Sequence, residues 1–560
     1  MPKITAIELE NFQSIGKKTI IPIRDLTLMF GPNGAGKSAV FDALEMLKLV
    51  VSNDWGENCS KLKKLINKWS RNIDTKSPSN SIGVGIQIFM DEKWEEHSDG
   101  YDALIDLKRI AYASMSHNND YAEEFLGKTF QFYVNFKRNT KSKDSRGHYW
   151  YLNELSIKIE NTPVLMLYPE SEDELASADS GNNSNSEIIT AHLLKKNWIS
   201  FDKIDKLKIS DKTNIFIDKD MLFGQVNTDL GWRISSKRWF TKQDFLDLEL
   251  EYEFSDLIQE VIDFFKILIS VELHNLEHVK ASRTVPSVNE SISLLPGKPY
   301  HSAQKIQPGY RLEWSKLLDN IKYKINGDDL HWVSMAKAIA ESESSNKSVD
   351  NIYWSDLSIL QKINSFLSDE LFIENGYQLT AEIMCIAEIE DIEDHSYYDS
   401  SYYPKLIRLY LNDNHQRNLE FEDVGSGIGY VLPALASLAQ DGISLIQQPE
   451  LHLHPALQSK LGDVIVKAVE NKRHYHAFSI IETHSEHLLL RVMRLIKNAS
   501  KRNGEVIDPI TFDRVAILYF EPLASGETQV KRLRLSPEGQ LIDRWPGGFF
   551  NERFIDLFDE

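Results

Sequence analysis

The chain has 560 residues, of which 42% are hydrophobic and two are cysteines, and it carries a formal net charge of −20. This composition excludes a disulfide-stapled domain, and it makes any nucleic-acid contact depend on a local basic patch or a partner. One hydrophobic core rarely serves a chain of this length, so we expect two or three substructures. We find no signal-peptide pattern and no apolar segment long enough to cross a bilayer, so we expect a soluble, cytoplasmic protein without membrane contact.

The first predicted elements lead into a phosphate-binding loop. Residues 4–23 alternate apolar and polar types and turn at 14–18, which predicts an antiparallel hairpin. A short apolar strand follows at 26–30, and Gly31-x-x-x-x-Gly36-Lys37-Ser38 then matches the P-loop pattern before an amphipathic helix. The alternative is a glycine-rich turn before a helix, which the correctly placed lysine and serine disfavour.

The P-loop predicts a nucleotide site. Its backbone N–H groups would surround the phosphates at the positive end of the helix, and the lysine would reach the β- and γ-phosphates. The serine hydroxyl is the expected ligand of Mg²⁺. The expected nucleotide-contacting residues are Pro32, Asn33, Gly34, Ala35, Gly36, Lys37, Ser38 and Ala39, with Ser38 as the metal ligand.

The middle of the chain has mixed patterns. Segments at 129–138, 150–168, 377–389 and 404–413 are β-rich, and 171–187 is a polar, low-complexity loop. Segments at 256–270, 312–325, 333–342 and 354–371 favour short, broken helices, and no heptad persists long enough for a long coiled coil. The acidic cluster at 388–395 indicates a solvated hairpin turn rather than a metal site.

The hairpin followed by the P-loop resembles the ABC-type ATPases of the SMC and RecF group. In many relatives a basic residue follows the Asn-Phe pair, whereas here Gln13 and Ser14 do. The resemblance implies that a signature segment, a Walker B strand and a switch histidine follow in that order. Candidates for all three occur in the last third of the chain.

The signature candidate is the segment at 421–439, in which Ser426 and Gly427 precede an apolar helical run. The Walker B candidate is "ISLIQQPELHLHP", with a buried strand at 443–446. The switch candidate is the strand that ends in Glu482, Thr483 and His484. Each is weak alone, since Gly-Ser-Gly is a common helix cap and His-x-His also suits zinc. Their order together favours the ATPase interpretation over a zinc site.

The wording of these motifs, with the tail at 530–558, resembles the OLD-like ATPases of prokaryotic antiviral defence, and among them the Septu-type ATPases called PtuA, including retron-associated ones. This resemblance covers about 1–50 and 420–560. The segment around Arg283 is similar to a strand-then-arginine element of such proteins. The implied partners are a second copy in an ATP-sandwich homodimer or higher oligomer, a separate HNH-type (PtuB-like) nuclease, and a reverse transcriptase with its DNA or RNA product.

The Walker B candidate departs from the usual pattern. Its last two positions are normally acidic, one holding Mg²⁺ and the next polarising the attacking water. Here they are Gln447 and Gln448, and an amide cannot act as a general base. Glu450 is the nearest carboxylate. We therefore expect ATP and Mg²⁺ to be bound by the P-loop together with Ser426, Gly427 and Gln447. We expect hydrolysis to be slow and to depend on Glu450, His484 and Gln448.

The predicted fold class is α/β: an ABC-type P-loop ATPase head, with a mixed sheet and a parallel core sheet flanked by helices, plus a compact and largely helical insertion. The predicted divisions are an N-terminal lobe at 1–168, an insertion at 169–370 that could dock a partner, and a C-terminal lobe at 371–560. Three functions stay open: a regulatory ATPase that controls an antiviral nuclease, an SMC/RecF-like ATPase of DNA repair, and a non-hydrolysing ATP-bound scaffold. A nuclease within the chain is disfavoured, because the C-terminal region leaves no room for one.

Overall fold

The structure is a computed structural model of the 560-residue chain. The structure describes the following residues: 2–51, 66, 81–90, 127–138, 150–160, 162–169, 186–193, 213–218, 269, 272–273, 276–283, 292–295, 330–343, 357–385, 405–472, 477–501 and 510–546.

Eighteen strands and six α-helices lie within the described residues. In chain order they are β1 (Pro2–Glu10), β2 (Thr19–Pro22), β3 (Leu26–Phe30), α1 (Ser38–Val51), β4 (Ser81–Met90), β5 (Thr129–Arg138), β6 (Trp150–Ile159), β7 (Thr162–Pro169), β8 (Ser186–Leu193), β9 (Thr213–Asp218), β10 (Glu277–Val279), β11 (Ile292–Leu295), α2 (Leu330–Glu343), α3 (Ile359–Asn364), β12 (Gln378–Cys385), β13 (Lys405–Asn412), β14 (Asn418–Leu419), α4 (Ser426–Ala439), β15 (Ser444–Gln447), α5 (Pro455–Asn471), β16 (Ser479–Glu482), α6 (Glu486–Lys501), β17 (Val515–Pro522) and β18 (Thr528–Leu533). A π-helical turn, Ser365–Leu371, continues α3.

The chain divides into two compact units. The first contains Met1–Arg24, Phe30–Leu276 and Leu518–Arg532, and the second contains Asp25–Met29, Glu277–Ile517 and Leu533–Glu560. Both units are therefore built from segments that are distant in sequence. The three-part division expected from the sequence stays a prediction.

The first unit is organised around an eight-stranded sheet in the order β2-β1-β4-β5-β6-β7-β8-β9. Its neighbouring strands pair antiparallel, and β1 pairs with β2 as the hairpin predicted from the alternating sequence. The inner face carries fully buried side chains such as Ile4, Ile7 and Val84. Helix α1 starts directly after the P-loop and buries nine of its residues.

The second unit contains the parallel core. Strands β10, β15, β16 and β3 are neighbours in that order and run parallel, in a sheet whose order continues with β17 and β18. Residues 518–532 of those two strands belong to the first unit. All five residues of β3 are buried, as expected for a strand covered on both faces. A smaller antiparallel sheet joins β11, β13 and β12, with β14 paired to β13.

A buried lysine fixes the start of β15. The Nζ atom of Lys472, at the end of α5, donates to the Ser437 carbonyl at 3.1 Å, the Gly442 carbonyl at 2.8 Å and the Ser444 Oγ at 2.6 Å. Burial lowers the pKa of Lys472 to about 7. The helix after β15 is thereby tied to the end of the helix before it, so the strand between them has a defined position.

The structure confirms the predicted fold class, with its mixed and parallel sheets and flanking helices. The strands predicted at 129–138, 150–168, 377–389 and 404–413 are present as β5, β6, β7, β12 and β13. Segment 169–370 contains α2 and α3 as predicted, but strands β8 to β11 also lie in it, and β10 is an edge strand of the parallel core. The predicted helices at 256–270 and 312–325, the loop at 171–187 and the turn at 388–395 lie outside the described residues, except for Ile269 and for residues 186–187, which begin β8. Among the described helices, none has the length and apolar composition to cross a membrane.

Candidate functional site

The P-loop leaves the carboxyl end of β3 and ends at α1. Gly34 and Gly36 have φ of 77° and 80°, a region that glycine enters without steric cost. A Cβ atom on Gly34 would meet nothing within 4 Å. The loop is therefore curved by its glycines, and space lies beside Gly34.

Lys37 is folded onto its own loop. Its side chain is 3% exposed, and Nζ donates to the Gly31 carbonyl at 2.8 Å and the Pro32 carbonyl at 3.0 Å. Asn33 and Ser38 are exposed. The ammonium is held within the curve of the loop, where an anion would meet a positive charge and the N-terminus of α1.

Gln13 occupies the position that is basic in many members of the SMC and RecF group. Its φ is 52°, and its Nε2 donates to the Asp42 carboxylate in α1. The side chain is therefore engaged with the P-loop helix.

The ends of β15 and β16 are in register with β3. Gln447 and Met29 both pair with Glu482, the Gln448 N–H donates to the Glu482 carbonyl at 2.7 Å, and the Thr483 N–H donates to the Met29 carbonyl at 3.1 Å. Gln448 adopts φ of 45°, which is uncommon for a residue with a side chain. The three strands therefore end at the same level.

Residues that follow β10 hold the two glutamines of the Walker B candidate. The Gln447 Oε1 accepts a 3.1 Å hydrogen bond from the Ala281 N–H. Arg283 is 4% exposed, and its guanidinium donates to the Gln447 and Gln448 carbonyls, each at 2.8 Å. The arginine thus binds the backbone of both residues at the point where the strand ends in a left-handed residue.

Glu450 and His484 meet across the two strand ends. The His484 N–H donates to Oε1 of Glu450 at 2.7 Å. Glu450 is 8% exposed, and its buried Oε2 has no hydrogen-bond partner in the described part of the chain. Burial raises the pKa of Glu450, against the opposing effects of the His484 N–H, the Thr483 hydroxyl and the charge of Arg283. A buried carboxylate with a raised pKa and an open acceptor oxygen is suited to accept a proton.

The signature candidate lies at the start of α4. Ser426 is the first residue of the helix and is exposed, and a Cβ on Gly427 would lie 2.7 Å from the His452 carbonyl. His452 has φ of 61°, and its ring centroid lies 4.3 Å from that of Tyr430. Gly425, Gly427, His452, His454 and Lys460 line part of a cleft of about 410 Å³. The exposed serine therefore lies beside an open cleft.

His454 caps a helix. Its Nδ1 accepts from the Ala456 N–H at 3.3 Å at the N-terminus of α5, while the ring of His452 packs against Tyr430. No group of three or more histidine, cysteine, aspartate or glutamate side chains suited to a metal was found among the described residues.

The structure groups the predicted residues in two sets. Gln447, Gln448, Glu450 and His484 lie together in the second unit, with Ser426 and Gly427 on a separate helix of that unit, and residues 32–39 form the P-loop of the first unit. Their roles stay predictions. The contact of Arg283 with Gln447 could not be predicted from the sequence, because it joins residues 164 positions apart.

Comparison with known families gives two matches. A model described as an AAA ATPase domain matches residues 2–489. A second model, described as a protein of unknown function (DUF3696), matches residues 510–559. A search of curated proteins found no match.

Solved structures of SMC head domains are also similar. An SmcHead bound to the C-winged helix domain of ScpA has a TM-score of 0.37 at 11% identity, covering 95% of this chain and 98% of that one. A second structure is the Smc head domain with an extended coiled coil bound to the C-terminal domain of ScpA, derived from Pyrococcus furiosus. It has a TM-score of 0.34 at 12% identity, covering 95% of this chain and 97% of that one. The SMC head domain from Thermotoga maritima has a TM-score of 0.32 at 9% identity, covering 95% of this chain and 100% of that one. All three TM-scores lie below 0.5.

Proposed function

Because the chain belongs to the AAA ATPase domain family and has the ABC-type P-loop ATPase fold, we propose that it binds ATP with Mg²⁺ and hydrolyses ATP slowly. Lys37 and the loop amides would hold the phosphates, and Glu450 would accept the proton of the attacking water.

The register of β15, β16 and β3 carries this proposal. Met29 and Gln447 both pair with Glu482, and the P-loop begins two residues after Met29. Ligands of parallel α/β sheets bind beyond the carboxyl ends of the strands. The P-loop, the two glutamines and the switch histidine all follow such an end.

The residues present fit ATP and Mg²⁺. The space beside Gly34, the enclosed ammonium of Lys37 and the exposed Ser38 suit a phosphate chain with its cation. The buried, unpartnered Oε2 of Glu450 suits a metal-bound or attacking water. When bound, Mg²⁺ neutralises charge on the phosphates.

We propose slow hydrolysis for two reasons. Glutamines replace the two acidic residues that usually end the Walker B strand, and the side chain of Gln447 already accepts a hydrogen bond. Its Oε1 accepts from Ala281, which leaves less capacity to hold a metal-bound water. A single buried carboxylate, Glu450, then does the work usually shared by two. A scaffold that holds ATP without turnover is the alternative, and the measured rate distinguishes the two.

We also propose that two copies enclose two nucleotides. The exposed Ser426 at the N-terminus of α4 would contact the γ-phosphate held by the partner, and it lies beside an open cleft that a second chain could enter. Light scattering with and without ATP tests this. A chain that stays monomeric with bound ATP would contradict the proposal.

Lys37→Ala tests the nucleotide site. The variant should lose ATP binding in calorimetry, because the ammonium is enclosed by the loop that would hold the phosphates. Lys497→Ala, which removes an exposed lysine of α6, is the matched control and should bind normally. Retained binding in Lys37→Ala would refute the P-loop assignment.

The finer role that we propose is regulation of a separate HNH-type nuclease in antiviral defence, with a reverse transcriptase as a further component. It rests on the resemblance of the motifs to Septu-type ATPases. A role in DNA repair like that of SMC and RecF proteins is the alternative, because membership of the ATPase family fits both roles. Cells that carry the gene with its neighbours should resist phage and lose resistance with Lys37→Ala. Unchanged phage sensitivity, combined with sensitivity to DNA damage after deletion, would favour repair.

A further inference from the structure

The C-terminal strands β17 and β18 lie against both ends of the P-loop. At the first end, a Cβ atom on Gly31 would lie 2.5 Å from the Phe520 carbonyl of β17. Gly31 has φ of 143°. Because the two backbones approach so closely, the loop starts in direct contact with β17.

At the other end, Thr528 of β18 contacts the loop through its side chain. Thr528 is 7% exposed, and its Oγ1 donates to the Ala35 carbonyl at 2.9 Å. The same oxygen lies 2.9 Å from the Ser14 Oγ, and the Thr528 N–H donates to the Ser14 carbonyl at 2.7 Å. The hydroxyl therefore joins the P-loop, the N-terminal hairpin loop and β18.

Ser14 fills the space beside Gly36. A Cβ atom on Gly36 would lie 1.9 Å from the Ser14 Oγ. The hydroxyls of Ser14 and Thr528 thus form one surface on which residues 35 and 36 rest.

The geometry of the peptide group makes this contact important for anion binding. In a trans peptide the carbonyl of one residue and the N–H of the next point in opposite directions, and the described chain contains no cis peptide bond. Fixing the Ala35 carbonyl on Thr528 therefore fixes the Gly36 N–H on the opposite side. It also keeps a carbonyl dipole from rotating to where an anion would be repelled.

We propose that Thr528 is a positioning residue for the P-loop: its hydroxyl fixes the Ala35–Gly36 peptide so that the Gly36 N–H faces the nucleotide phosphates. This inference rests on the proposed ATP binding. It gives a role to the C-terminal segment 510–559, whose family model is described only as of unknown function.

The test compares Thr528→Val with Thr528→Ser in the full-length chain. Valine keeps the shape and β-branching of threonine but cannot donate to Ala35, whereas serine keeps the hydroxyl. Loss of one buried hydrogen bond and a freer peptide should weaken ATP binding about five- to tenfold in Thr528→Val. Thr528→Ser should bind within about twofold of the unmodified protein, so that rescue by serine separates the hydroxyl from packing.

Hydrogen–deuterium exchange of peptides covering residues 31–37, measured without nucleotide, is the second readout. Faster exchange there in Thr528→Val but not in Thr528→Ser, at equal melting temperature, supports the inference. Exchange equal to that of the unmodified protein in both variants would overturn it, as would unchanged ATP affinity in Thr528→Val. If the unmodified protein bound no ATP, the proposed function would fail, and the inference that the Gly36 N–H serves a nucleotide would fail with it. Normal ATP binding with no effect of Thr528→Val would refute the inference alone.

Discussion

The His484 N–H donates to Oε1 of Glu450 at 2.7 Å, joining the loops that follow two neighbouring parallel strands. The bond comes from the backbone, so it is independent of the protonation state of the imidazole. It orients the carboxylate while Oε2 stays open. Because the donor is the backbone N–H, the bond to Glu450 should persist when the His484 side chain is replaced.

Glu450→Gln should lower ATP turnover by about 100-fold or more, because a positioned general base contributes at least that much. The amide oxygen can still accept from the His484 N–H, so the fold and ATP affinity should be retained. Phosphate release measures the rate, and calorimetry measures the affinity. If turnover is unchanged, the switch region and not Glu450 activates the water, and His484→Ala should then abolish turnover.

The pH profile of turnover should reflect the burial of Glu450. Because burial raises its pKa, activity should increase with pH through a midpoint above that of an exposed glutamate. The folded pKa exceeds the unfolded one, so this carboxyl also makes the free energy of unfolding decrease as pH rises between the two values. A profile that is flat across this range, or one that is the same in Glu450→Gln, would argue against Glu450 as the base.

Gln448→Glu should raise turnover, because it restores a carboxylate at the position where the Walker B strand is usually acidic. Both side chains have the same length, so the left-handed backbone at φ of 45° is not altered further. Gln448→Asn is the control, since asparagine tolerates this backbone region and has no acid. A faster Asn variant would attribute the gain to relieved backbone strain.

Arg283→Met should lower the free energy of unfolding by about 2–4 kcal/mol, because it removes charge-assisted bonds to two carbonyls and leaves Glu450 without a nearby cation. The free energy of unfolding of Arg283→Lys should lie between those of the unmodified protein and Arg283→Met, since an ammonium lacks the planar fork that reaches both carbonyls. Urea denaturation measures the difference. Equal stability of the methionine variant would mean that the arginine does not hold the strand end.

Gly36→Ala should impair ATP binding more than Gly34→Ala. Both glycines have positive φ, so both substitutions introduce backbone strain. Only the added Cβ at position 36 meets an atom within 4 Å, the Ser14 Oγ at 1.9 Å. Comparing the two dissociation constants separates steric conflict from strain, and equal losses would show that strain alone decides.

The local parts of the site could be predicted from the sequence. Strand β3, the P-loop and α1 are contiguous, so their glycines, lysine and hydrophobic pattern specify them together. The strands around Gln447 and His484 were also recognised, because each has an apolar run that ends in polar residues.

The supporting contacts could not be predicted, because they join distant residues that have no local pattern. Gln447 and Ala281 lie 166 positions apart, and Ser14 and Thr528 lie 514 apart. The use of the Gln447 side chain by a backbone N–H, and the hydroxyl under Ala35, depend on how segments meet in three dimensions. A threonine in an alternating strand gives no sign of such a role.

The contact between Ser14 and Thr528 also bears on the order of biosynthesis. During translation, the P-loop and its helix leave the ribosome long before residues 515–533 are made. If domains fold as they emerge, the nascent chain holds a complete phosphate-binding sequence without the hydroxyl that supports it. We therefore expect a ribosome-bound chain that lacks these strands to bind nucleotide more weakly, and its affinity to rise once residues 515–533 have emerged and folded.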